Sequence, residues 1–355
     1  MNPPGVRRTL SRREFVQLGG LAVAATLAHP VLARTPTARR VLVLLHLEGG
    51  NDAFHTIFGP RDAGAARLRP TLTLRAADLL PLADGVALHP ACEGMRDLFS
   101  AGALALLPRV TAGAAPGAGH FAAEEAWETA GGAAGRSTGW IGAALGGTNG
   151  DIATGPIACH AGAAPPQAFA GLAPGQIASL TDAARALGRP VPPAVSRLET
   201  ELRTVAHLVA AGFPARVYRV RAAGFDTHGG QRERQALALG TWSAALARFH
   251  RELRERGVGR DVVALSYSEF GREVRENAAG GTDHGGAGLV CLSGAVEGGI
   301  AGEIAPLVAA DEFPPIHAAA LHALVAEHWL HGGTARLPLH GWTKADCRMP
   351  ALSGA

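Results

Sequence analysis

The chain has 355 residues, 47% of them hydrophobic, with 33 Lys+Arg against 30 Asp+Glu. So even a balance offers no electrostatic case for nucleic acid or an anionic membrane surface as partner. The apolar fraction is enough to bury a sizeable core, and the length suits one large α/β domain or two small ones.

Residues 1–33 read as an export address rather than as fold. Ser11-Arg12-Arg13-Glu14-Phe15 precedes a modest apolar stretch, Leu18 to Ala28, and Val31-Leu32-Ala33 offers small residues for cleavage. That order is the signature of bacterial twin-arginine export, which implies a periplasmic or extracellular protein. A membrane anchor is disfavoured, because the stretch is shorter than the ~20 apolar residues a bilayer needs; no later segment is long and apolar enough to span. Residues 1–33 hold four Arg and one Glu, so their removal leaves 29 basic and 29 acidic residues. The twin-arginine route carries folded proteins, some with a metal or cofactor already bound.

The run Val41–Leu47 is almost continuously apolar, the pattern of a strand buried on both faces of a parallel sheet. It leads into Glu48-Gly49-Gly50-Asn51-Asp52, where two glycines permit a tight turn that presents a carboxylate; an ordinary helix-capping turn would look the same. Residues 60–90 are irregular. A helix over Cys92–Ser100 and a strand over Leu104–Val110 follow. A loop of Ala, Gly and Pro, Ala112 to Gly119, then delivers His120 to the start of a helix over Ala122–Thr129, beside that helix's positive end. Thr138 to Gly142 starts a short helix. Residues 150–195 read as excursions from the sheet, with one more strand at Ile157–His160. A helix spans Val195–Ala211, with Leu198, Leu202, Val205, Leu208 and Val209 on one face.

A strand over Ala215–Ala222 ends in Gly224-Phe225-Asp226-Thr227-His228. Asp226 and His228 are two apart, so on an extended segment they share a side. There they offer a divalent cation a carboxylate and an imidazole, or form a hydrogen-bonded loop pair. A long helix near Gln231–Arg256 turns Leu237, Trp242, Leu246, Phe249 and Leu253 inward. The next strand, Val262–Tyr267, ends in Ser268-Glu269-Phe270-Gly271-Arg272. A Gly-rich loop leads to Thr282-Asp283-His284-Gly285 and a further strand at Leu289–Leu292. A helix over Asp311–Leu330 carries His317, His322, His328 and His331 without a common face. These, with His46, His89 and His160, read as surface or core histidines. Cys92, Cys159, Cys291 and Cys347 lack CxxC spacing, so a structural zinc knot is disfavoured. At most one pair bridges, and Cys291 reads as core. In an open α/β sheet ligands sit beyond the carboxyl ends of strands, so Asp52, His120, Asp226, His228, Glu269 and His284 are placed to converge on one edge.

Six pieces run in order along the chain: Gly49-Gly50-Asn51-Asp52, Leu88-His89-Pro90, Gly119-His120-Phe121, Gly224-Phe225-Asp226-Thr227-His228, Ser268-Glu269-Phe270-Gly271-Arg272 and Gly281-Thr282-Asp283-His284-Gly285. Together they resemble the bacterial "domain of unknown function 1501" family, exported proteins of the alkaline phosphatase-like superfamily. The resemblance implies a single domain over 34–355, a three-layer α/β/α sandwich with a mostly parallel central sheet. It also implies two adjacent divalent metals above the strand ends. Asp52, Asp226, His228, Glu269 and His284 resemble the ligands, and Asp283 resembles either a ligand or a partner that holds His284. Three carboxylates and two imidazoles suit zinc, alone or mixed with Mg, Mn or Ca.

One departure bears on function. The family usually has Ser-His-Phe where this chain has Gly119-His120-Phe121, and glycine has no side chain with which to attack. Enzymatic activity is therefore left open between two readings. In the first the protein is a periplasmic metal-dependent hydrolase of a phosphate, sulfate or related ester, with metal-activated water attacking directly and His120 orienting the oxyanion or leaving group. In the second it binds metal or ligand without turnover and works with a protein partner; relatives often accompany proteins of "domain of unknown function 1800". The Cys/Ser-x-Pro-x-Arg motif of sulfatases is absent.

Overall fold

The computed structural model describes residues 39–331, apart from 60–64, 84, 115–116, 130–137, 147–154, 189–192, 303, 305, 308–309 and 311–314. The expected export segment and Cys347 lie outside the described residues.

The apolar runs become the strands of one sheet. They are β1 (Val41–Leu47), β2 (Leu104–Thr111), β3 (Ala158–His160), β4 (Ile177–Ser179), β5 (Val217–Ala222), β6 (Val262–Tyr267), β7 (Gly288–Gly294), β8 (Gly299–Ile300) and β9 (Ile316–His317). Among the described residues their order is β8-β2-β7-β6-β1-β5-β3-β4, with β9 also on β2. β1 runs parallel to β5 and β6, and β3 parallel to β4 and β5. β7 is antiparallel to both neighbours, β2 and β6. This one reversed strand matters: it starts at the edge where β6 ends, so the whole connection 268–287 stays at that edge.

Every residue of β1 is buried. Val41, Val43, Leu45 and Leu47 join the core on one face, while Leu42 and Leu44 join the core on the other. The helices divide the same way. On the first face lie α1 (Glu93–Ser100), α5 (Arg197–Ala210) and α6 (Gln231–Glu255), through Met95, Leu98, Leu202, Val205, Trp242, Leu246 and Phe249. On the second face are α2 (His120–Glu128), α3 (Trp140–Gly146) and α7 (Ala318–Leu324), with α7 continuing as a wider turn over Val325–Leu330. Trp127, Trp140, Leu321 and Trp329 carry that packing. A further helix, α4 (Leu180–Ala186), is capped by Ser179, whose hydroxyl accepts from the Asp182 amide. The fold is the expected three-layer α/β/α sandwich around a mostly parallel sheet.

Several local expectations need correction. Ile177–Ser179 is an edge strand and residues 180–186 a helix, within a stretch that read as excursions. The irregular 60–90 region contributes to a small separate sheet of two-residue strands, Ile57–Phe58, Ala87–Leu88 and Leu80–Pro81. Leu237 does not face inward but is 75% exposed, because Ala238 and Leu239 take the core side of α6. The last helix is preceded by strand β9, so the chain is helical only from Ala318. Cys92, Cys159 and Cys291 are buried. Among the described residues no helix is long and apolar enough to cross a membrane.

Candidate metal centre

The carboxyl ends of β1, β5 and β6 and the start of β7 share one edge, and the polar motifs sit there. After β1 the backbone turns sharply through Gly49 and Gly50, with φ of 111° and 84°. A Cβ on Gly49 would lie 2.3 Å from the Asp226 amide nitrogen, so only glycine lets the β1 turn pass so close to the β5 loop.

Arg272 ties these loops together. Its side chain is fully buried, and its guanidinium donates to the carbonyls of Gly49, Gly50 (3.0 Å), Phe225 (3.1 Å) and Thr282 (2.7 Å), and to Asp226 Oδ1 (2.5 Å). A rigid planar fork with five N–H donors is what so many acceptors require. Burial pushes the Asp226 carboxyl up, but the Arg272 hydrogen bond and charge outweigh it, with His228 and His120 adding to them, and its pKa is lowered. The segment after Arg272 runs antiparallel to the one before β7, through Glu273 N–H to Asp283 O (2.9 Å) and Gly285 N–H to Gly271 O (2.8 Å). This pairing holds His284 opposite Arg272.

Three electron-rich atoms meet at the rim. His228 Nε2 lies 3.0 Å from Asp226 Oδ1 and 2.9 Å from His284 Nε2, and His284 Nε2 is 3.5 Å from the same Asp226 oxygen. His228 Nδ1 donates to Asp283 Oδ1 (2.8 Å), so its Nε2 presents a lone pair inward. Burial, then the Arg272 charge, lowers the His284 pKa, which favours the neutral ligating form. Tetrahedral ligands about 2.0–2.1 Å from a zinc ion stand about 3.3 Å apart. The spacing and the donor set, two imidazoles and a carboxylate, therefore fit a zinc-class ion.

His120 joins this cluster: ligand atoms of His120, Asp226 and His284 all lie within 4.8 Å of one another. It opens α2, with Gly119 at the N-cap making no side-chain bond. His120 Nδ1 donates to Glu269 Oε1 (2.8 Å), and Nε2 faces Asp226 Oδ2 at 3.7 Å. Glu269 is buried and takes three donors: His120, the Gly49 amide (2.9 Å) and, on Oε2, His46 Nε2 (3.0 Å). Burial raises the Glu269 pKa, yet the bonds from His46 and His120 prevail and hold it at about 2. His46 is fixed in turn by Arg219, which donates to its Nδ1 (3.0 Å) and pairs with Glu124 and Glu128.

The expected residues thus divide. Asp226, His228, His284 and His120 come together. Asp283 stands behind His228, not beside His284 as the resemblance allowed. Glu269 stands behind His120, both of its oxygens engaged. Asp52 is fully buried and is not among the groups that meet at the rim. Its Oδ2 accepts from Arg69 Nη1 (2.6 Å) and Gln231 Nε2 (2.5 Å), and its Oδ1 from the Phe54 amide (3.0 Å). Sequence reasoning missed His46, Arg69, Arg219 and Gln231. His46 read as core because it sits in an apolar strand, and its only signal was polarity amid leucines. Arg69 lies in a stretch without pattern.

Residues 182–330 match the family model described as "Protein of unknown function (DUF1501)". No curated protein matches the chain. Among solved structures, a protein in the alkaline phosphatase superfamily from Vibrio parahaemolyticus is 10% identical, with 82% of this chain and 71% of that chain covered and a TM-score of 0.38. The lipoteichoic acid synthase LtaP from Listeria monocytogenes is 10% identical, covering 81% and 72% with a TM-score of 0.37. The PsFucS1 sulfatase from Pseudoalteromonas sp. is 11% identical, covering 82% and 68% with a TM-score of 0.37. Likeness this distant says nothing of activity. Over residues 182–330 the chain is therefore similar to the family described as DUF1501, proteins of unknown function.

Proposed function

We propose that the protein is a metal-dependent hydrolase of a phosphate, sulfate or related ester, in which water, not a serine, attacks. The observation that carries the reading is the convergence of Asp226 Oδ1, His228 Nε2 and His284 Nε2 beside an imidazole, His120, held by a buried carboxylate. Those three residues would hold the ion, with zinc the best match to their chemistry. A bound ion supplies positive charge to the oxygen on which negative charge develops, and makes nearby water more acidic.

The chain's own residues do the proton work. His120 Nε2 takes a proton from the attacking water. The water oxygen bonds to phosphorus or sulfur, and the bond to the leaving alkoxide or aryloxide breaks. The imidazolium then returns the proton to the leaving oxygen. Glu269 keeps Nδ1 protonated and stabilises the imidazolium. His46 and the Gly49 amide hold Glu269 ionised for that task. At Gly119 nothing could attack, which is why water is assigned the role. The export segment read at residues 1–33 supports a periplasmic or extracellular setting.

The test is hydrolysis of generic aryl phosphates and sulfates by the zinc-loaded mature protein. Turnover is expected, falling about 100-fold or more in His120→Ala and lost in Asp226→Asn. A second reading, a metal-binding protein without turnover that serves a protein partner, is favoured by Gly119 alone. Zinc-loaded protein inert toward every ester would select it.

A further inference from the structure

We propose that the chain holds one divalent ion, not an adjacent pair, because its own groups already occupy the second position. The proposal rests on the reading of Asp226, His228 and His284 as a metal centre. A second ion beside it would need Asp52 and Glu269 as ligands, and both oxygens of each already accept hydrogen bonds.

At Asp52 the place of a metal is taken by Arg69. The guanidinium is buried and held by three acceptors at once: Asp52 Oδ2 (2.6 Å), the Val274 carbonyl (2.8 Å) and the Glu273 carbonyl (2.6 Å). It cannot shed its charge by losing a proton, and it cannot swing out without leaving those groups unpaired in the interior. Gln231 closes the other approach to the same oxygen. Its own carbonyl accepts from Thr282 Oγ1 (2.7 Å), which fixes the amide so that Nε2 points at Asp52. The remaining oxygen caps the turn that follows, through the Phe54 amide. A divalent ion placed there would face a fixed cation across one buried carboxylate.

Glu269 is claimed in the same manner. Arg219 is always a donor, so His46 Nδ1 carries the lone pair and Nε2 carries the proton given to Glu269 Oε2. Oε1 takes the Gly49 amide and His120. Among the described residues the arrangement leaves the electron-rich opening faced by Asp226, His228 and His284. Asp52 and Arg69 then serve to lock the β1 turn against the segment after Arg272, and Glu269 serves to aim His120.

The full mature protein is saturated with zinc, freed of excess by gel filtration, and its metal counted by elemental analysis. One equivalent per chain is expected, unchanged in Asp52→Asn and absent in His284→Ala. A manganese-loaded sample gives an independent reading of the unaltered protein, and an isolated six-line EPR signal is expected. Two equivalents per chain, or the spectrum of a coupled manganese pair, would overturn the single-ion proposal while leaving the hydrolase reading standing. A folded Asp52→Asn variant that loses metal would overturn it as well. A native protein that retains no metal would remove both.

Discussion

At the scale of single residues, the site is governed by which donor reaches which acceptor. Arg272 bonds acceptors on three loops, and Lys in its place would offer a point charge that cannot span them. Arg272→Lys is expected to cost about 1–3 kcal/mol, the range for leaving buried carbonyls without a donor. Urea unfolding should show a lowered midpoint, and zinc affinity should fall with it; an unchanged midpoint and affinity would refute that role. Much of this level was legible. Asp226, His228 and Glu269 follow apolar runs and His284 precedes one, and polar residues just past strand ends are exposed to ligands in this architecture. Their division of labour was not legible, because it depends on contacts across the chain. Glu269 and His46 are 223 positions apart, and Asp52 and Gln231 are 179 apart.

At the scale of elements, the turn after β1 is the narrow point. Gly49 combines a positive φ with a backbone crossing that leaves no room for a Cβ. Gly49→Ala is expected to destabilise the protein by about 1–3 kcal/mol through backbone strain. It should also displace Asp226 and so weaken zinc binding at least tenfold, as isothermal titration would measure; a variant with native zinc affinity would contradict the close crossing. Strands β1, β2, β5 and β6 were readable from apolar runs or from clear alternation, and β7 from the four-residue run Leu289–Leu292. β3 and β4 are three residues long, too short for periodicity to stand out, and β4 was missed. The misplacement of Leu237 has the same origin. One apolar residue on a long helix does not set the face, and Ala238 and Leu239 outvote it.

At the scale of the whole molecule, the three-layer fold seals several histidines in a neutral state. His250 on α6 accepts from or donates to Ser293 Oγ at 2.8 Å, and burial, then the Arg254 charge, drives its pKa down to about 3. His322 on α7 stacks flat on Trp140, with centroids 4.2 Å apart, and burial takes it to about 3, with His317 adding a smaller push in the same direction. In the unfolded chain both titrate near 6.5. Their stability contribution is therefore complete above about pH 6.5. It is lost as pH falls below that value, because the unfolded state then binds more protons than the folded one. Each slope approaches about 1.4 kcal/mol per pH unit as the unfolded imidazole becomes fully protonated, and the two together give about 2.4 kcal/mol between pH 6 and 5. Urea midpoints across that interval should fall accordingly, and His322→Phe, which keeps the stack but cannot titrate, should halve the slope attributable to the pair. A midpoint flat from pH 7 to 5 would contradict neutral burial. The layered class was legible because β1 and β6 are almost continuously apolar, which a sheet covered on both faces accommodates. The reversal of β7 was not, since an apolar run carries no sign of its direction.

X-ray absorption at the zinc edge reads the rim cluster most directly. Mature protein carrying zinc should show nitrogen and oxygen neighbours about 2.0–2.1 Å away, with the outer-ring scattering of at least two imidazoles, and His284→Ala should lose both the metal and the pattern. A spectrum of oxygen neighbours without imidazole, or one left intact by His284→Ala, would mean that Asp226, His228 and His284 do not share a cation.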